Sequence, residues 1–555
     1  MCGIWGFIEF SKTHDISKLF KSYMTVQKRG QDKSTFTTLE YDNKIHLGFH
    51  RLALMDKSTK GDQPFTFEVD NQRTIYAICN GEIYNFKNLV KENNFIMKGR
   101  SDCEFLPQMY AKYGFETMLN KINGEFGLCI IDIINENYIK VYISRDQTGV
   151  RPLFFGYDDN GFCFSSILTG ICHNVEHKNV RQLKRGEFAC VEIIKNEKPK
   201  ITTQIYHSLE NIKLSPEFTE NRFETILNKI HDTFVRSVIK RLHSDRPMGA
   251  LLSGGLDSSL VVAIASSYLQ MNKQKLRTFS IGMNGSTDEY YAKLVSKHCN
   301  TEHTHIEFTE KEFLNAIKDV VFSTETHDIT TVRASVGQYL ISKWIKENTD
   351  IRVLLIGDGS DELCSGYMYF HKAPTPEESH KENIRLIEDI QYYDSLRADR
   401  CIASNNIEAR VPFLDLDFVE LYLSIPYNLR IPKQENERKV EKWLLRKAFD
   451  EMNYLPKEVL WRKKEAFSDG VSSKEKSWYM IIQEQLSNKY NKQDFEHIEV
   501  SYHLKPVSNE ALYYRKLFNE YFSYDLAHVI PYYWLPKWCG NITEPSARVL
   551  QVYKE

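Results

Sequence analysis

Residues 249–269 constrain the fold more than any other stretch. Four residues of strand character, Gly249-Ala250-Leu251-Leu252, run into Ser253-Gly254-Gly255-Leu256-Asp257-Ser258-Ser259, and an apolar helical pattern follows at once over 260–269. A strand that turns through two glycines into a helix sets backbone N–H groups and the positive end of the helix dipole at one point. Further strand-like runs at 278–283 and 353–356, separated by helix-length segments, predict a parallel sheet with crossover helices.

Such a turn binds phosphate. Gly254 and Gly255 let the backbone approach closely, and the Ser253, Ser258 and Ser259 hydroxyls add donors. The loop lacks the lysine that a Walker-type loop requires. It also carries Asp257, which repels phosphate unless a cation intervenes, and Mg²⁺ prefers carboxylate plus phosphate oxygens. The run Val353-Leu354-Leu355-Ile356 ends in a second acidic cluster, Gly357-Asp358-Gly359-Ser360-Asp361-Glu362. Ligands of parallel sheets bind beyond the carboxyl ends of strands, so both clusters are expected at one crevice, with Asp257 and Asp361 as Mg²⁺ ligands. For Asp361 alone, a helix cap or tight turn is the competing assignment.

The N-terminal part reads differently. Up to about residue 205, short β-type segments (75–78, 126–131, 138–143) alternate with Gly, Asn and Asp, which predicts stacked β-layers with a few helices. Residues 206–220 are polar and read as a linker, an amphipathic helix is expected from about 222 to 242, and 376–465 is rich in helical patterns, as at 386–396 and 441–449. Residues 490–510 read as a loop. The chain opens Met1-Cys2-Gly3-Ile4. A Met before so small a residue is normally removed, which would leave Cys2 with both a thiol and a free α-amine of pKa about 7.7–8.0. One residue then supplies nucleophile and base. The competing assignment is a small buried hydrophobe.

Bulk properties narrow the function. A chain of 555 residues calls for two to four domains. The formal net charge of −2 gives no electrostatic reason to expect nucleic acid or an anionic membrane as partner. No apolar run suggests a membrane span and no secretory signal is apparent. The 11 cysteines form no C-x-x-C pair, which predicts reduced thiols and a cytoplasmic protein.

Cys2-Gly3-Ile4, Asn80-Gly81-Glu82-Ile83-Tyr84-Asn85 and the Ser253–Ser259 loop occur together in one family, and the chain closely resembles the glutamine-hydrolysing asparagine synthetases nearly end to end. Pro536-Lys537-Trp538 and Pro545-Ser546-Ala547-Arg548 resemble the eukaryotic-type form. The resemblance implies an α+β class II glutamine amidotransferase domain over 1–205, a layered β-sandwich with flanking helices of N-terminal-nucleophile type. A linker over 206–220 leads to an α/β ATP pyrophosphatase-type synthetase domain with extra helices over 221–540, and 541–555 form a tail. It implies an ATP-dependent ligase that converts aspartate, glutamine and ATP into asparagine, glutamate, AMP and pyrophosphate. Cys2 would form a thioester, Asn80 and Gly81 an oxyanion hole, and Arg51, Glu82 and Asp102 would bind glutamine together with them. Leu252, Ile281, Ile356 and Gly357, with Ser253, Gly254, Gly255, Asp257 and Ser258 of the loop, would bind ATP. Lys464 and Asp358 would act at the β-aspartyl-AMP centre, and Thr330, Thr331 and Arg333 would handle aspartate and pyrophosphate. Ammonia would pass between the sites by a tunnel, and relatives are commonly homodimers.

The chain departs from the family pattern at three positions. Ile356 removes a hydroxyl, Asp358 replaces a Glu, and Gln31 stands where Pro is usual. Two other readings stay open at this point: amidation of a different carboxylate, and a homologue kept for binding alone. Product analysis with ATP, Mg²⁺, aspartate and either glutamine or ammonia separates them.

Overall fold

The computed structural model describes every residue except 11–13, 42, 436, 474, 491–493, 496–502, 548 and 554–555. Of the loop expected at 490–510, residues 491–493 and 496–502 lie outside the described residues. The chain divides into two compact units, one of residues 1–208, 244–246 and 403–408, the other of residues 209–243, 247–402 and 409–555.

The first unit holds two six-stranded sheets. Its strands are β1 (Gly3–Glu9), β2 (Lys33–Leu39), β3 (Ile45–Arg51), β4 (Phe65–Glu68), β5 (Thr74–Ile83), β6 (Gly124–Asn135), β7 (Tyr138–Arg145), β8 (Phe154–Tyr157), β9 (Gly161–Ser165), β10 (Arg181–Gln182), β11 (Glu187–Ile194) and β12 (Lys200–Ile205). They run in the orders β10-β8-β9-β1-β3-β2 and β12-β11-β7-β6-β5-β4, with antiparallel pairing. The period of two along a strand sorts their side chains into two cores. Ile78 of β5 and Cys129 and Ile131 of β6 join Ile4, Ile8, Leu47 and Phe49 between the sheets. The alternate residues Ile75, Ala77, Phe126, Leu128 and Ile130 face α3 (Leu106–Tyr113) and α4 (Phe115–Lys121), where they meet Met109, Tyr110 and Phe115. α1 (Ile16–Met24) and α2 (Phe86–Asn93) complete the layers.

The second unit is built on a five-stranded sheet ordered β15-β14-β13-β16-β17 from β13 (Met248–Leu251), β14 (Arg277–Gly282), β15 (Glu302–Glu307), β16 (Val353–Leu355) and β17 (Glu408–Arg410). β13 pairs in parallel with both β14 and β16. The amphipathic segment forms α5 (Phe223–Lys240), which buries Ile226, Ile230, Phe234 and Val238 at a spacing of four. α6 (Leu256–Met271) follows the glycine turn and is buried along Leu260–Ala265, as suits a crossover helix covered on several sides. α7 (Thr287–Cys299), α8 (Glu310–Thr324), α9 (Ile329–Asn348) and the short α10 (Ser360–Leu363) follow. The helix expected across 386–396 is instead broken. A helix ends at Asp389, a 3-10 turn fills Ile390–Tyr392, and the next helix starts at Asp394. Tyr393 adopts φ −129°, ψ −92°, outside helical values, at the break.

Candidate active sites

Cys2 immediately precedes β1, whose register pairs Gly3 with His50 of β3. The thiol therefore lies beside the residues that follow β3. Its Sγ is 3.6 Å from the Leu52 carbonyl oxygen and 3.4 Å from the Leu52 N–H, which donates to it. Burial pushes the thiol up to about 12, against the opposing pull of the terminal ammonium. Met1 is fully buried, and burial lowers its amine to about 6.

The end of β5 brings the next residues together. Asn80 is fully buried, and neither its amide nitrogen nor its amide oxygen has a hydrogen-bond partner. A buried unpaired amide costs on the order of 1–3 kcal/mol, so a group left this way points to a ligand that completes it. Gly81 is pressed against β6, and a Cβ there would lie 2.1 Å from the Glu125 carbonyl oxygen. Asp102 accepts the Ile83 N–H at 2.7 Å, which fixes its loop to the end of β5 beside buried Glu82. Arg51, the last residue of β3, donates to the Ser58 carbonyl and to Asp62 Oδ1, each at 2.7 Å, and to the Asp56 carbonyl. The loop after β3 thus wraps the guanidinium that the sequence pattern assigned to glutamine.

In the second unit one pocket opens at the carboxyl ends of β13, β14 and β16. Leu252, Ser253, Gly255, Asp257, Ser258, Ile281, Ile356 and Gly357 all line it, together with Asp358, Asp361 and Lys464. Gly254 does not. It turns the loop at φ +72°, and a Cβ on it would lie 2.4 Å from Tyr291 Cβ. Ser253 and Ser258 Oγ are 3.0 Å apart, and Ser259 Oγ is buried without a partner. Gly357 brings the β16 loop onto the start of α6, where a Cβ would lie 2.6 Å from Ser258 N. Both acidic clusters therefore meet at one crevice.

Asp257, Asp361 and Asp358 are each already paired with a cation. Lys442 Nζ lies 2.7 and 2.6 Å from the two oxygens of Asp257 and 2.6 Å from Asp361 Oδ1. Lys464 Nζ lies 2.5 Å from Asp361 Oδ2. Burial raises the Asp361 carboxyl, yet the two ammonium groups outweigh it and hold the group well below the usual carboxylate range. Asp358 pairs with Arg397 and accepts from Gln338 Nε2 at 3.2 Å, while Arg397 also meets Asp394 at 2.7 Å. Burial sets Asp358 above its ordinary value despite Arg397. The donor set suits a hard divalent cation, since two carboxylates converge on one positive centre. Among the described residues no three His, Cys, Asp or Glu side chains form a metal-holding group, so such an ion would draw its other ligands from phosphate or water.

Thr330, Thr331 and Arg333 line a neighbouring pocket that shares Asp361, Arg397 and Lys464 with the first. Asp328 caps α9, its carboxylate accepting from both the N–H and the hydroxyl of Thr331, each at 2.8 Å. Arg333 donates to Glu510 at 2.7 and 3.1 Å and to Glu544 at 3.0 Å. Residues Pro545–Ala547, Leu550 and Tyr553 of the tail line the same pocket. Lys442, Arg397, Gln338 and Asp394 were not found from sequence.

Known proteins match both halves of the chain. Residues 1–217 match the family model described as glutamine amidotransferase domain, and 229–385 and 372–529 match the one described as asparagine synthase. The chain is 40% identical over 570 residues to a probable asparagine synthetase [glutamine-hydrolyzing] of Acanthamoeba polyphaga mimivirus, covering all of both chains. It is 39% identical over 573 residues to the asparagine synthetase [glutamine-hydrolyzing] of Gallus gallus and over 575 residues to that of Homo sapiens, covering all of this chain and 99% of each relative. No helix among the described residues is long and apolar enough to cross a membrane. With full-length identity well above 30% and both halves matched, this chain belongs to the family of glutamine-hydrolysing asparagine synthetases.

Proposed function

We propose that the chain makes asparagine from aspartate, with glutamine as nitrogen donor and ATP as activator. The observation that carries this reading is Asn80, whose buried amide is fully unpaired beside the Gly81 backbone at the end of β5. Such a pair of donors suits an oxyanion that exists only during reaction, and one donor of this kind is typically worth about 2.7–4 kcal/mol. After loss of Met1, the Cys2 amine takes the thiol proton, and the sulfur attacks the glutamine side-chain amide. Collapse of the tetrahedral intermediate releases ammonia and leaves a thioester that water hydrolyses to glutamate. Arg51, Glu82 and Asp102 hold the glutamine backbone groups, for which the loop after β3 must yield part of Arg51.

In the second unit, Leu252, Ile281, Ile356 and Gly357 seat the nucleotide, and the Ser253–Ser258 loop cradles its phosphates. Asp257 and Asp361 would hold Mg²⁺, which supplies charge neutralisation of the phosphates when bound. The aspartate side-chain carboxylate displaces pyrophosphate to give β-aspartyl-AMP, and ammonia then displaces AMP. Lys464 faces the departing phosphates, and Asp358 acts at the ammonia attack. Thr330, Thr331 and Arg333 handle aspartate in the neighbouring pocket. We also assign the protein to the cytoplasm, because its 11 cysteines are all unpaired thiols, and expect a homodimer as in relatives.

Purified protein given ATP, Mg²⁺, aspartate and glutamine is expected to yield asparagine, AMP and pyrophosphate in equal amounts. Amidation of a different acid, or no AMP at all, would overturn the assignment.

A further inference from the structure

Lys442 breaks three local rules at once. Its backbone adopts φ 53°, ψ 29°, a left-handed conformation uncommon for a side-chain-bearing residue. It occupies the N-cap of the helix Trp443–Phe449 and so brings a cation to the positive end of that helix. The residue is also only 2% exposed. Burying an ammonium is costly unless it is paired, and here Asp257 and Asp361 both serve it. Even its stem is accommodated by design of the sequence, since a Cβ on Gly366 would lie 2.0 Å from Lys442 Cε.

Asp257, Lys442, Asp361 and Lys464 therefore alternate in sign, with two carboxylates and two ammonium groups that balance. The centre between Asp257 and Asp361 is where a hard divalent ion would bind, and Lys442 Nζ fills it. A free ion entering there must displace a charge that already neutralises both acids. An ion arriving with phosphates displaces it at lower cost, because phosphate oxygens accept the released ammonium.

We propose that Lys442 is a positioning residue that acts as a resident cation. It keeps Asp257 and Asp361 aligned and excludes free divalent metal, so that metal and nucleotide enter as one unit. This rests on the reading of the crevice as a metal–triphosphate site, but its test needs no turnover.

The test is Mn²⁺ binding to the full chain without nucleotide, followed by the paramagnetic signal of free Mn²⁺ and by calorimetry. Lys442→Met is expected to bind Mn²⁺ at least tenfold more tightly than the wild type, and Lys442→Arg to stay within threefold of it. Lys442→Arg keeps the charge while altering the stem, so the difference between the two variants reads the cation itself rather than local packing. Should Lys442→Met fail to fold, Lys442→Gln keeps the stem and a polar tip and carries the same expectation. Equal Mn²⁺ affinity in wild type and the folded neutral variant overturns the proposal. A chain that binds Mn²⁺ as expected but forms no asparagine leaves the proposal standing and removes the activity instead.

Discussion

The two sites solve opposite electrostatic problems. Around Cys2 the first unit leaves polar groups unsatisfied: Asn80 has no partner, and the thiol sits far above its ordinary pKa. In the second unit three acids facing the crevice are paired with cations, Asp257 and Asp361 with Lys442 and Lys464, Asp358 with Arg397. The first arrangement suits a charge that is created during reaction, where preorganised donors act without reorganising. The second suits charges that arrive with the substrate, and internal ion pairs hold the site in shape until then.

The largest effect expected from this contrast concerns Met1. With a thiol raised to about 12, roughly one molecule in 10⁴ is thiolate at pH 8. Protein made with methionine aminopeptidase inhibited should therefore alkylate at Cys2 about 10³-fold more slowly than trimmed protein, as mass spectrometry of the labelled N-terminal peptide would show. Equal rates would mean that burial does not control the thiol. Next, Asn80→Ala is expected to lower the glutaminase kcat about 10²–10³-fold while barely moving the melting temperature, because no hydrogen bond is lost. A large loss of stability would show that Asn80 is paired after all. Asp358→Glu probes the other side of the contrast. It supplies the longer acid that the resemblance implies, and we expect ammonia-dependent synthesis to stay equal or rise. A misplacement of 1 Å can cost on the order of 10²-fold, so a steep drop would show that Arg397 and Gln338 are fitted to the shorter side chain. The smallest effect is on packing. Gly81→Ala, whose methyl would meet the Glu125 carbonyl at 2.1 Å, should cost about 1–3 kcal/mol in thermal unfolding of the first unit.

Local chemistry made much of this legible in the sequence. The strand–glycine–helix order at 249–269 corresponds to β13 and α6, and the segments at 75–78, 126–131 and 138–143 fall within β5, β6 and β7. The convergence of Asp257 with Asp361 followed from the rule for parallel sheets. The cation between them did not, because Lys442 lies 81 residues beyond Asp361 in sequence and reaches it only through packing. Arg397 was hidden for the same reason, and also because the sequence pattern joined 386–396 into one helix, whereas the break at Tyr393 starts a new helix on Asp394, three residues before the arginine. Arg51 shows the converse. Its residue type was readable as a carboxylate clamp, but the backbone carbonyls of Ser58 and Asp56 that occupy it belong to a loop with no sequence signature.

The most direct test uses Cys2→Ala with the two nitrogen sources compared side by side. Glutamine-dependent asparagine formation should vanish, while synthesis from ammonia, with its AMP and pyrophosphate, should continue at the wild-type rate. Loss of both activities in a folded variant, or survival of the glutamine-dependent one, would contradict the division of labour between a thiol site and a nucleotide site.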